Sequence, residues 1–391
     1  MKINEAVILV GGRGARLNPI TNSIPKPLVD INGKPFLYYL IEQLKFFKIN
    51  NVTLLTGYKS LQFKEFKKRY NKKFNINLIT QPEDYETGAR LIHAKNKLPK
   101  NFILLYGDNY CGLNLKNLIK NFYKFKRNFQ LTAYYDWNNY SKPNIDLNKD
   151  FSIKIYDSKR KSRYLKYVDV GYMCINKKIL DDFKFSKKLS LSSHIIPNLV
   201  KNNKAHAFKT YNLYCTVGNM ERLMKTRIML SNRKFIFIDR DGVLNVKPKK
   251  GKYIIKSNQI IWKKGSLNAL KRLKKMKYET ILVTNQAGIG RKLIKEEDLN
   301  KVHNYMCDHV RKFGGSIDYI YFCPHHWIDN CFCRKPKPGL FLKAQFDLHL
   351  DFSKIKFIGD QNSDLIAAQN LDIDFIKIRK NESLLNKINN L

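Results

Sequence analysis

Short apolar runs, each cut off by glycine, aspartate or threonine, recur from one end of the chain to the other. They are Ala6–Val10, Val52–Leu55, Ile76–Ile79, Ile103–Tyr106, Phe235–Ile238, Thr280–Val283 and Ile355–Ile358. Runs of four or five β-branched, aliphatic and aromatic residues bounded by turn formers predict strands buried on both faces, the habit of parallel sheets. Helical spacing lies between them. Phe36, Leu40, Leu44 and Phe47 share one face, as do Leu267, Leu270 and Leu273, while Ser60–Tyr70 reads as a basic helix and Met220–Leu230 as a closing one. Strand and helix in alternation predict an α/β protein. The polar joint Ser231–Lys234, with no Gly/Ser-rich or Pro-rich linker, divides it into domains over residues 1–230 and 231–391. Residues 100–150 mix strand-like and basic helical patches and say less.

Composition narrows the class. A length of 391 residues suits two or three domains with proper cores. No apolar run reaches membrane-spanning length and the chain enters a strand almost at once, so a soluble, cytoplasmic protein is expected. The 73 Lys and Arg against 32 Asp and Glu give a net charge of +41. That charge is spread out, without a basic tail or an aromatic–basic repeat. It argues against nucleic acid as the main partner and suits small phosphorylated substrates. Seven cysteines, an odd count with three close together at 323–333, fit reduced thiols and a metal site better than disulfides.

The strand Phe235–Ile238 runs into Asp239-Arg240-Asp241-Gly242. Carboxylates at i and i+2 leave a strand end on the same side, where they can share a hard cation and divide nucleophilic from acid/base work. Thr284 and Asp360 end two further strands, and three such ends would converge at the carboxyl edge of a parallel sheet. Cys323, His325, Cys331 and Cys333 offer three thiolates and one imidazole, a set for a closed, structural zinc site. That site would pin the loop bearing Arg334-Lys335-Pro336-Lys337-Pro338-Gly339, with His326 a bystander. In the first domain Gly11-Gly12-Arg13-Gly14-Ala15-Arg16-Leu17 follows a strand, so backbone N–H groups can close around phosphates while Arg16 adds charge. Pro25-Lys26-Pro27-Leu28 presents a lysine on a stiff loop, and Asp108 ends the strand Ile103–Tyr106.

The glycine loop followed by Pro-Lys-Pro-Leu resembles the sugar-phosphate nucleotidyltransferases, with Ala15 where threonine is usual. The resemblance implies a Rossmann-like domain with a mixed sheet. It implies that Gly11, Gly12 and Gly14 wrap the nucleotide phosphates, that Arg16 steadies the pyrophosphate leaving group and that Lys26 steadies the transferring phosphoryl. Asp108 matches the magnesium ligand, and Gly88 falls where the family brings backbone close to the base. Tyr167–Tyr172 resembles the segment that meets the sugar. Thr216 stands where the family carries a second metal-binding aspartate, so either another acid such as Asp169 serves, or metal binding is weakened, or this domain has drifted from catalysis. Gly33–Leu37 points to the branch acting on heptose 1-phosphate, with GTP favoured as donor.

The second domain resembles the haloacid-dehalogenase-like phosphatases. This implies a capless, Rossmann-like parallel sheet with a zinc loop. It implies that Asp239 attacks phosphorus, that Asp241 is acid and then base, and that Thr284 and Lys335 hold the phosphoryl oxygens. Magnesium would lie among Asp239, the Asp241 backbone and Asp360, with Asn285, Gln286 and Arg334 on the substrate side. Two phosphatase branches share the zinc loop, one removing the 7-phosphate of heptose 1,7-bisphosphate and one acting on histidinol phosphate. Lys335–Gly339 and Thr284–Arg291 favour the heptose branch. Together the two resemblances imply consecutive steps toward a nucleotide-activated heptose for surface lipopolysaccharide. The rivals are histidinol phosphate as substrate, a first domain that only binds nucleotides, and a nucleic-acid end-repair activity resting on charge alone.

Overall fold

Strand β1 (Glu5–Leu9) shows how the first sheet is built. Ala6 and Ile8 project into one apolar layer and Val7 and Leu9 into the other, so both faces need cover. The computed structural model describes residues 3–14, 17–249, 251–389 and 391. It divides into two compact units that part between Leu230 and Ser231.

In the first unit β1 is followed by the small hairpin β2 (Asp30–Ile31) and β3 (Lys34–Pro35), then β4 (Asn51–Thr56), β5 (Asn75–Thr80) and β6 (Asn101–Tyr106). β1 pairs in parallel with β4 and β6, and β4 with β5. Beyond them come β7 (Asn109–Cys111), β8 (Phe129–Tyr135), β9 (Ile145–Leu147), β10 (Ile153–Tyr156), β11 (Tyr167–Asn176), β12 (His206–Thr210) and β13 (Tyr214–Thr216). β11 runs antiparallel to both β6 and β8, which makes the large sheet mixed. Between Asp169 and Met173 the β8–β11 register slips. Gly171 lies in that bulge against the Tyr106 ring, where a Cβ would come within 2.3 Å. The bulge turns the strand so that Asp169 faces a cleft.

The second unit carries β14 (Lys234–Ile238), β15 (Tyr278–Asn285), β16 (Tyr319–Cys323), β17 (Lys356–Gly359) and β18 (Asp374–Lys377). They form one all-parallel sheet in the order β16-β15-β14-β17-β18. Ile236 and Ile238 pack into the layer under helices Ser266–Lys275 and Glu296–Lys312. Phe237 points the other way into edge-to-face contacts with Phe341, Phe352 and Phe357. Among the described residues of 239–265 the one named regular element is the short turn Ser257–Gln259.

Candidate active sites

In the second unit the backbone sets the site before any side chain does. The Asp239 N–H donates to the Ile358 carbonyl at 2.9 Å, extending the β14–β17 ladder and bringing Asp239 beside Asp360. Gly242 has a φ of +93°, and a Cβ there would sit 2.4 Å from Asp360 Oδ2, so this turn admits glycine alone. Lys335 is buried. Its ammonium donates to the Val283 carbonyl at 2.9 Å and lies 2.8 Å from Asp239 Oδ1 and 2.7 Å from Asp364 Oδ1. Asp364, fully buried at the start of helix Asn362–Asn370, stands four residues after Asp360, a position the sequence shows without marking a role for it.

Asp239, Asp360 and Asp364 each offer an oxygen within 4.8 Å of the others. Three carboxylates thus face one buried ammonium, and Asp360 Oδ1 is buried with no hydrogen-bond partner. Half-exposed Lys247, 3.3 Å from Asp360 Oδ2, offsets part of the excess charge. An all-oxygen set with an orphaned acceptor fits a hard divalent cation such as magnesium. Without such a cation, burial pushes the Asp239 carboxyl above its usual range; Lys335 pulls it back and Asp364 pushes it further.

Asp241 lives in different surroundings. Arg240, 1% exposed, donates from Nε to Oδ1 at 3.1 Å and from Nη2 to Oδ2 at 2.9 Å. Asn245 Nδ2 and Gln286 Nε2 donate to the same carboxylate at 3.0 and 3.1 Å. Burial tends to raise the Asp241 carboxyl, but Arg240 and these donors win and hold it below the usual carboxylate range. Gln286 Nε2 also donates to the Thr284 hydroxyl at 2.9 Å. Asn285 is spent differently. Its amide accepts from the Lys335 N–H and donates to the Lys335 carbonyl, both at 3.1 Å, so it holds Lys335 in place. Arg334 Nη1 is buried and unpartnered, a donor available to an anion.

Cys323, His325, Cys331 and Cys333 come together. Cys323 Sγ lies 3.5 Å from Cys331 Sγ and 3.3 Å from Cys333 Sγ; the latter two are 3.5 Å apart. His325 Nδ1 is 3.7 Å from Cys323 Sγ and 3.1 Å from Cys333 Sγ. A tetrahedron with arms of about 2.3 Å has edges somewhat under 4 Å, so the four atoms fit zinc. His326 is not one of this set; its ring lies tilted against Trp327 at 4.0 Å and its Nδ1 accepts from the Ile328 N–H.

In the first unit two lobes of about 640 and 560 Å³ share Lys26, Glu86, Thr87, Tyr106 and Asp108, forming one cleft. Gly11, Gly12 and Gly14 line the smaller lobe. Gly14 has a φ of +69° and a Cβ there would press on Lys26 Cβ at 3.0 Å, so the loop and the lysine are fitted to each other. Beneath the loop, buried Arg90 donates to the carbonyls of Thr56, Gly11 and Glu83, a brace that sequence inspection did not find. Gly88 packs on the Leu189 carbonyl, and it is Thr87 that lines the cleft. Arg16 lies outside the described residues.

The larger lobe is lined by Asp169 and Thr216 as well as Asp108. Lys26 Nζ sits 2.6 Å from Asp108 Oδ2. Asp169 accepts from the Tyr156 hydroxyl at 2.9 Å and from the Gly171 N–H at 2.8 Å, and burial raises its carboxyl. One carboxylate already paired with lysine, a second satisfied by neutral donors and a threonine hydroxyl make a poor set for magnesium. The donor set of this unit therefore does not match the two-carboxylate site expected of it.

Comparison with known proteins agrees with this division. The family profile described as nucleotidyl transferase matches residues 5–227, and the one described as polynucleotide kinase 3 phosphatase matches residues 234–379. A D-glycero-beta-D-manno-heptose-1,7-bisphosphate 7-phosphatase of Pasteurella multocida is 37% identical over 147 residues, covering 36% of this chain and 78% of the relative. The D-glycero-alpha-D-manno-heptose counterpart of Campylobacter jejuni is 39% identical over 140 residues, again 36% and 78%. A histidine biosynthesis bifunctional protein of Blochmanniella floridana is 37% identical over 146 residues, but only 41% of its length is covered, against 37% of this chain. Among solved structures, HddC from Yersinia pseudotuberculosis complexed with GMP-PN has 28% identity and a TM-score of 0.50 over 57% of this chain and 97% of its own. Over residues 5–227 the chain belongs to the nucleotidyl transferase family, and through its second unit it belongs to the family of heptose-1,7-bisphosphate 7-phosphatases.

Proposed function

We propose that this chain is a bifunctional enzyme of sugar-nucleotide biosynthesis. Its second unit removes the 7-phosphate of D-glycero-D-manno-heptose 1,7-bisphosphate, and its first unit joins a nucleotidyl group to the resulting heptose 1-phosphate. The observation that carries this reading is the cluster of Asp239, Asp360 and Asp364 around buried Lys335, in a unit related to heptose phosphatases.

In the hydrolase, an Asp239 oxygen attacks phosphorus as the bond to the sugar oxygen breaks; Asp241, which takes up a proton as the phosphate dianion enters beside it, gives that proton to the sugar oxygen. Asp241, now ionised, takes a proton from water. The water oxygen attacks the aspartyl phosphate, releasing inorganic phosphate and restoring Asp239. Lys335 and the Thr284 hydroxyl hold phosphoryl oxygens, and Arg334 faces the substrate. Asp239, Asp360 and Asp364, with the Asp241 backbone, would hold magnesium, whose positive charge would ease the meeting of two anions. Zinc held by Cys323, His325, Cys331 and Cys333 would have all four positions filled by the protein and would serve structure.

In the transferase, an oxygen of the sugar phosphate attacks the α-phosphorus of the nucleoside triphosphate and pyrophosphate leaves. Gly11, Gly12 and Gly14 turn backbone N–H groups to the phosphates, and Lys26 offsets their charge. The relative bound to GMP-PN supports a guanine nucleotide as donor. The activated heptose would feed surface polysaccharide, and the setting would be the cytoplasm. Among the described residues no helix is long and apolar enough to cross a membrane.

The test is a paired panel. The purified chain is given heptose 1,7-bisphosphate, magnesium and each nucleoside triphosphate, while phosphate release and nucleotide-sugar mass are followed. Phosphate release with a GDP-heptose product is expected. Faster turnover of histidinol phosphate, or of a DNA 3′-phosphate, would reassign the hydrolase. Phosphate release without nucleotide transfer would leave the first unit a binding module, the rival reading that Thr216 motivates.

A further inference from the structure

Arg240 lies between the two aspartates of the hydrolase, yet the reaction as written gives it nothing to do. It is among the largest fully buried side chains of the molecule. Its fork grips both oxygens of Asp241, while Nη2 also donates to Gln286 Oε1 at 3.1 Å. The remaining arm, Nη1, meets His303 Nε2 at 3.3 Å. His303 comes from the opposite direction, on helix Glu296–Lys312, and is itself only 3% exposed, packed against the Phe322 ring at 5.7 Å.

The direction of the contact follows from chemistry. A guanidinium has no acceptor, so His303 Nε2 must receive the bond and its proton must sit on Nδ1. Burial, with Arg240 beside it, drives the His303 imidazole down to about 3, which keeps the ring in that neutral form. A charge-assisted bidentate grip fixes the plane of a carboxyl group. Asp241 can swing only by breaking both bonds to Arg240, and Arg240 can shift only by losing its seat on His303.

We propose that Arg240, seated by His303, is a positioning residue that fixes the Asp241 carboxyl group for proton transfer to the leaving sugar oxygen. The proposal rests on the aspartyl-phosphate reading of the second unit. It differs from a plain structural ion pair in one respect that can be measured. Only a leaving group that needs a proton should sense a misplaced Asp241.

The experiment compares kcat/KM for heptose 1,7-bisphosphate, whose alkoxide must be protonated, with that for p-nitrophenyl phosphate, whose phenolate leaves unaided. Because kcat/KM covers events up to departure of the leaving group, it isolates the step in question. Arg240→Met and Arg240→Lys, the latter keeping charge without the fork, should each lower the sugar-phosphate value by about 100-fold. The aryl value should fall by less than about 3-fold. His303→Leu should show the same selectivity at about 10-fold, and His303→Gln, which keeps an acceptor, should recover most of the loss. If the Arg240 variants do not fold, the two His303 variants carry the test. Equal losses on both substrates, or none on either, overturn the proposal. A wild-type chain that releases phosphate from neither substrate overturns the underlying reading and the proposal with it. An active wild type with parallel losses overturns the proposal alone.

Discussion

Lys335 answers two buried carboxylates and one main-chain carbonyl with a single ammonium. Its removal should therefore cost more than its attractions suggest, since Asp239 and Asp364 would be left buried and unpaired. We expect Lys335→Met to destabilise the second unit by about 3–5 kcal/mol in metal-free buffer, and Lys335→Met with Asp364→Asn to recover part of that. Urea unfolding of the chain measures both; a double variant no more stable than the single one would show that Asp364 is not the partner that matters. Phosphate release should fall by about 100-fold or more in either. Asp239 and Asp360 stand in strand-end motifs, and Lys335 in the Arg-Lys-Pro run after the cysteines, all of which the sequence displays openly. Asp364 stood in view as well, four residues after Asp360, but only the turn into helix Asn362–Asn370 shows that it points inward at Lys335. Arg240 and Arg90 are less accessible still, because arginine is ordinarily exposed and nothing local marks either one as buried.

At the scale of elements, strands reveal themselves when they are central. β1, β6, β14 and β17 are bounded apolar runs and needed no structure to find. β16 and β18 lie at the edges of their sheet, with Tyr319–Phe322 and Asp374–Lys377 partly exposed, so their apolar signal is thinner. The cysteine loop shows the reverse case, where spacing alone gathered four candidate ligands and the structure adds what they hold up. Cys323 ends β16, the Gly290 N–H donates to the Pro324 carbonyl at 2.7 Å, and the Gly339 N–H donates to the Phe332 carbonyl at 3.1 Å. With Asn285 clamping the Lys335 backbone, the loop is fastened at the exit of β15. Metal analysis should find about one zinc per chain. Removing it with a strong chelator should expose residues 324–334 to proteolysis and lower phosphate release by about 10-fold or more, with recovery on adding zinc but not magnesium. A zinc-free chain that keeps full activity and resists the protease would refute a structural role for the loop.

At the scale of the whole molecule, each unit carries its own sheet, its own core and its own candidate site, which is what two independent chemistries require. The net charge of +41 then has a use common to both, since every reactant proposed is a phosphate ester and a positive field raises its local concentration. If the activities are sequential yet separable, single substitutions should divide them cleanly. Asp239→Asn should cut phosphate release from heptose 1,7-bisphosphate by about 1,000-fold, leaving transfer to supplied heptose 1-phosphate unchanged. Lys26→Met should do the opposite, with phosphate released at the normal rate, heptose 1-phosphate accumulating and nucleotide-heptose formation down by about 100-fold. Mixing the two variants should restore the full conversion, since the intermediate passes through solution, and phosphorus NMR follows every species in one tube. Loss of transfer to heptose 1-phosphate in Asp239→Asn would mean that the second unit's site takes part in the first unit's reaction, and the division of labour drawn from the two sheets would have to be abandoned.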